Sequence, residues 1–251
     1  MGTHGLALVP PGAGRRFTAS RKVRLGDVLP NGDARLDAVA RYLQDVASDD
    51  GSDAGIDTEL VWLVRKTILQ LHRRPRLGDQ LDLVTWASGS GARWAERRTA
   101  ISVADEPVVD AASLWVSVDP TTMRAARLPD RFWAMYREAV DDRVVSPRLT
   151  HADVPRVPRA DARPWPLRVS DLDVMDHVNN AVTWAVVEDE LDRLGLARRV
   201  ALAELEYREP VDRSHELAVT SQVDNDEVRM WLTAGAAVLA SAKLSLLAPL
   251  P

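Results

Sequence analysis

The sequence predicts an α+β fold made of two tandem copies of one unit, each a single helix wrapped by an antiparallel sheet. Three observations carry that prediction. Arg24–Val46 parallels Arg168–Leu191, with Arg24 matching Arg168 and Asp27 matching Asp171 at an offset of 144. Each copy then enters a strand-like stretch that ends at a proline, Trp62–Pro75 in the first and Ala201–Pro210 in the second. A second strand series follows in both, Gly78–Asp119 and Ser214–Ala248. The same order of elements written twice marks a duplicated architecture, even where individual residues match weakly.

The elements follow in chain order. Residues 1–14 hold a short apolar run broken by Pro10 and Pro11 and are expected to form a loose tail. They lack the basic start and long apolar core of a secretory leader, so the expected location is cytoplasmic. The first unit is expected over 15–128. Its helix shows Leu36, Val39, Ala40, Leu43 and Ala47 on one face. In its strands Leu81, Leu83 and Thr85 alternate with Asp82, Val84 and Trp86. Ser88–Gly91, Ala104–Pro107 and Asp224–Asp226 read as turns between strands. Residues 129–163 start helix-like and become rich in proline and arginine, as a linker does. The second unit, 164–251, places Val178, Val182, Ala185 and Val186 on its helix face.

Composition narrows the chemistry. The chain of 251 residues is 46% apolar and 27% charged, an ordinary globular balance. It contains no cysteine, which removes disulfides, thiol nucleophiles and thiolate-ligated metals. Its five histidines show no metal-ligand spacing, so neither a metal nor another cofactor is expected. A net charge of −5 argues against nucleic acid as a partner. No stretch reaches the ~18 apolar residues of a membrane span. There is no G-x-S-x-G elbow, dinucleotide fingerprint or Walker loop.

The most informative stretch is Ser170-Asp171-Leu172-Asp173-Val174-Met175-Asp176-His177-Val178-Asn179-Asn180, which opens the second helix. An aspartate just before a helix start and a histidine at it bring together a base and a ring of free backbone amides. A carboxylate can activate water or attack directly, and helix-terminal amides can hold a developing oxyanion. The pattern resembles the signature of the acyl–acyl carrier protein thioesterases, a double hotdog family. Further likeness runs through Trp62-Leu63-Val64, Gly78-Asp79, Thr85-Trp86, Trp115 and Leu205–Pro210.

That resemblance implies a tandem hotdog fold and hydrolysis of fatty acyl thioesters in fatty acid biosynthesis. The expected substrate is acyl carrier protein bearing a fatty acyl chain; the alternatives are acyl-CoA, or a non-catalytic acyl-binding protein. It implies catalytic roles for Asp173 and His177. Two family positions differ: Met175 stands where an asparagine is usual, and Pro210 where a glutamate follows Tyr-Arg, with Glu209 one residue early. Asn179 is therefore a candidate to supply the missing amide. Asn180, Trp184 and Trp62 are candidates for substrate binding. Each has a structural alternative: Asp173 and Asn179 suit helix capping, and tryptophans suit packing. Arginine clusters at Arg73, Arg74 and Arg76, at Arg97 and Arg98, and at Arg124, Arg127 and Arg131 suit solvated faces or an acidic carrier. Strand alternation predicts that one of Arg97 and Arg98 is exposed. Because two units in one chain already pair, either a monomer or a homodimer is expected.

Overall fold

The computed structural model describes residues 6, 10–56, 61–154 and 162–247, so most of the expected N-terminal tail lies outside the described residues. The chain forms two compact units, residues 1–34 with 41–148 and residues 35–40 with 149–251. The first contains β1 (Phe17–Lys22), β2 (Val61–Leu71), β3 (Gln80–Ser90), β4 (Trp94–Val103) and β5 (Glu106–Val118). These are antiparallel in the order β1-β3-β4-β5-β2. Helix α1 (Leu36–Ala54) precedes β2, and α2 (Asp130–Val140) follows β5. The second unit contains β6 (Arg163–Trp165), α3 (Asn180–Arg193), β7 (Val200–Tyr207), β8 (Leu217–Asp224), β9 (Glu227–Ala234) and β10 (Ala237–Leu246). Its strand order, β6-β8-β9-β10-β7, repeats that of the first.

The duplication extends to single hydrogen bonds. The carboxylates of Asp27 and Asp171 each accept from the backbone N–H three residues earlier, Arg24 and Arg168, at 2.8 Å. The backbone bridge Val28–Ala34 recurs as Leu172–Val178, and Asp33–Arg76 recurs as His177–Asp212. Leu29 N–H donates to Asp33 O at 2.8 Å, as Asp173 N–H does to His177 O.

In α1, Leu36, Val39, Ala40 and Leu43 are buried as the periodicity predicts, and the stripe continues at Val46 and Asp50 rather than Ala47. Asp50 is an anionic hub, bonded to Arg15 at 2.7 Å, Arg97 at 2.6 Å and the Tyr136 hydroxyl at 2.8 Å. Burial, with the Asp50 charge, pushes the Tyr136 hydroxyl up to about 12 against the opposing effect of Arg97. Arg97 and Arg98 are both half-buried, on Asp50 and Glu96, so neither is the exposed residue that alternation predicts. Alternation in β3 likewise holds through Thr85 and then gives way to burial on both faces. The reason is α2, whose Phe132, Tyr136 and Val140 cluster with Ile56, Ala87 and Ala95.

Helix α3 keeps its expected face only in part, with Val186 and the preceding Val178 buried. Val182 and Ala185 are half-buried, while Trp184, Val187, Glu188 and Leu191 are buried. A helix covered almost all round has no single apolar stripe to detect.

The expected linker is pinned at two places. Val145 N–H donates to Ser90 O, and Ser90 N–H donates to Arg143 O at 2.9 Å. A Cβ at Gly89 would lie 2.6 Å from Val145, so this glycine permits a close crossing rather than the predicted turn. In the second unit the chain crosses β9, β10 and β7, where Trp231 pairs with Ser241 and Ser241 with Glu206. The fully buried Glu206 accepts from Thr150 N–H at 2.6 Å and His151 N–H at 3.1 Å. His151 Nδ1 lies 3.0 Å from Ser241 Oγ, and Trp231 Nε1 donates to Ala152 O at 3.0 Å.

Candidate active site

The residues singled out around Asp173 lie in a tight loop ahead of α3. Asp173 Oδ1 accepts from Met175 N–H at 2.9 Å and His177 N–H at 3.3 Å. Asp173 N–H returns to His177 O at 2.8 Å, closing the loop from both ends. Asp176 adopts a positive φ of 59° at the tip, a conformation that aspartate tolerates better than most residues. The carboxylate thus organises the backbone with one oxygen; among the described residues, no hydrogen bond takes Oδ2.

Asn179 is the N-cap of α3. Its side-chain oxygen accepts from Ala181 N–H at 2.8 Å, while its own N–H donates to Asp171 O at 2.8 Å. Asn180 opens the helix, and its carbonyl accepts from the Tyr207 hydroxyl at 3.1 Å. No described hydrogen bond takes the Asn180 N–H, which leaves a donor at the positive end of the α3 dipole.

The structure therefore brings Asp173, His177, Asn179 and Asn180 into one short span. Trp184 lies farther along α3, sealed in the core. Trp62 belongs to the cluster around α2, with its ring 5.9 Å from Phe132. Met175 is partly exposed and contributes its backbone N–H rather than its side chain.

A second loop completes the surroundings. Val178 N–H donates to Val211 O, His177 bridges to Asp212, and Arg213 pairs with Asp176. Asp212 escaped sequence reasoning because its place depends on a pairing between segments 35 residues apart.

Beneath α3, Thr183, Val186, Leu205, Met230 and Leu232 border a void of about 10 Å³, room for roughly one water. Elsewhere, His151, Glu204 and Glu206 bring three potential metal donors within 4.8 Å of one another. Both oxygens of Glu206 already hold the crossing segment. No helix among the described residues is long and apolar enough to cross a membrane.

Two units of this kind, each a sheet wrapped on a helix, make a tandem hotdog, and the protein is a thioester hydrolase. Family models agree: the acyl-ACP thioesterase N-terminal domain matches residues 14–136, and the C-terminal domain matches residues 157–235. The chain belongs to the acyl-ACP thioesterase family. An uncharacterized Mycobacterium tuberculosis protein, Rv2001, is 27% identical over 243 residues, covering 95% of this chain and 96% of its own. The FATB2 acyl-[acyl-carrier-protein] hydrolase of Cuphea viscosissima is 26% identical over 231 residues, covering 83% of this chain and 55% of its own. The solved 12:0-ACP thioesterase of Umbellularia californica superposes with a TM-score of 0.74 at 21% identity, covering 98% of this chain and 99% of that one.

Proposed function

We propose that the protein hydrolyses fatty acyl-ACP, releasing free fatty acid and carrier protein, with Asp173 activating the attacking water. The observation that carries this is the anchoring of Asp173: one oxygen is fixed by loop amides and the other takes no described hydrogen bond. In this reading Asp173 takes a proton from water as its oxygen attacks the thioester carbon. The carbonyl oxygen gains charge and is met by Asn180 N–H at the start of α3. The carbon–sulfur bond then breaks, and the thiolate leaves and takes up a proton. His177 orients substrate and polarises the carbonyl. The acyl chain follows the apolar seam beside α3, which must widen to admit it.

Family membership supports the carrier-protein substrate. The outlying basic clusters give it less support than the sequence suggested: Arg73 pairs with Asp79 at 3.0 Å, and Arg76 lies 3.5 Å from Asp33.

The test uses purified protein with matched acyl chains on carrier protein and on coenzyme A. We expect a higher kcat/KM on the carrier protein; equal or reversed preference overturns the carrier assignment. Asp173→Asn keeps an oxygen for the loop amides and removes the charge. It should lower kcat/KM about 10²–10⁴-fold with little change in Tm. Turnover that survives this substitution overturns the role of Asp173.

A further inference from the structure

The backbone of His177 is pinned on both sides, yet no described hydrogen bond reaches its imidazole. Directly across the bridge stands Asp212. Opposed residues of an antiparallel pair point to the same face, with Cβ atoms about 4.5–5.5 Å apart. The two side chains are therefore neighbours, although no hydrogen bond joins them.

Asp212 is itself held in place. Its Oδ1 accepts from Ser214 N–H at 2.8 Å and Ser214 Oγ–H at 2.5 Å. Those bonds keep the carboxyl below the usual carboxylate range, with His215 and His177 adding to the effect. No described hydrogen bond takes Oδ2. His215 Nδ1 accepts from the Asp212 N–H at 3.1 Å, so that nitrogen is not a donor to the carboxylate. The titratable and charged groups facing His177 are thus Asp173 and Asp176 on its own loop and Asp212, Arg213 and His215 opposite, with Arg213 already paired to Asp176.

The first copy shows that side chains can meet across this bridge. There Asp33 stands for His177 and Arg76 for Asp212, with Arg76 Nε 3.5 Å from Asp33 Oδ1. A carboxylate beside a histidine fixes which ring nitrogen carries the proton and where it points. Such contacts are often long before substrate arrives and tighten in the complex.

We propose that Asp212 is the positioning residue for His177, its second oxygen orienting the imidazole for work on the thioester. This rests on the reading of His177 as part of the active site. Asp212→Asn is the informative variant, because the amide oxygen can still accept from Ser214 while the charge is gone. We expect kcat to fall about tenfold or more with KM within about twofold, and Asp212→Glu to recover part of the loss. A second readout needs no turnover: the ¹⁵N shifts of the His177 ring report which nitrogen is protonated. One tautomer should dominate in the wild type and a mixture in Asp212→Asn. An unchanged tautomer balance, or an unchanged kcat in an active enzyme, overturns the proposal. Absence of thioester turnover in the wild type overturns the functional reading instead, and the ring shifts still decide the role of Asp212.

Discussion

At the scale of single residues, side chains in the Asp173 loop bind backbone while leaving polar atoms free. Asp173 holds two amides with one oxygen, and Asn179 caps α3 with its own. The sequence made Asn179 a candidate to replace the amide missing at Met175; the cap supplies a sufficient reason for an asparagine there. Asn179→Ala should therefore cost about 1 kcal/mol of stability, measured by urea unfolding, whereas Asn179→Asp should retain most of it. A large loss of kcat in Asn179→Asp, with stability unchanged, would show that the amide nitrogen acts on substrate. The Asn179 cap was legible because helix starts demand particular side chains in particular places, whereas Asp173, which also suited a helix cap, binds amides of the loop ahead of α3. Asp212 was not legible, because nothing local to it announces which loop it will face.

Helix α3 shows at the scale of an element why its burial was hard to read. Its buried surface includes two carboxylates, Glu188 and Glu190. Glu190 is tolerated because it is saturated: Arg193 and Ser221 each reach it at 2.5 Å, and Arg163 of β6 also pairs with it. Burial alone would raise its carboxyl, but the bonds from Arg193, Ser221 and Arg163 reverse this and hold it near about 2. Since the folded value lies below the unfolded one, the stabilisation is complete above about pH 4.5 and drains away as pH falls toward 2. With Arg163 and Arg193 partly exposed, screening limits the effect to about 2–3 kcal/mol. Urea unfolding at pH 7 and pH 3 should show more than half of that loss in the wild type and a flatter dependence in Glu190→Gln. Parallel slopes for the two proteins would remove Glu190 as the source. A buried ionic network of this kind uses polar letters inside a helix, and a search for apolar periodicity passes over it.

Over the whole molecule the duplication is close in its backbone and divergent in its chemistry. The capping carboxylates and the Val28–Ala34 bridge recur at the predicted offset of 144, and the strand order recurs although the offset drifts along the chain, so the repeat was legible wherever backbone geometry constrains side-chain type. The functional asymmetry follows from three replacements. Leu29 stands where the second copy has Asp173, Asp33 where it has His177, and Arg76 where it has Asp212. The first loop keeps its closure, with Leu29 N–H on Asp33 O, but has no carboxylate at the position equivalent to Asp173. It satisfies its charges internally: Arg76 lies beside Asp33, and Asn31 donates to the same aspartate at 2.9 Å. With Asp173 as the proposed base, one active site per chain is the expected consequence. Exchanging Asp33→Asn and Arg76→Gln together should leave kcat within about twofold, because this pair, with Arg76 exposed and Asp33 half-buried, contributes about 0–1 kcal/mol and touches no reacting group. Paired with the loss expected for Asp212→Asn at the equivalent place, that result separates a loop kept for its shape from one that uses its charges. A comparable fall in kcat from the first-copy double substitution would mean that both copies take part in the reaction.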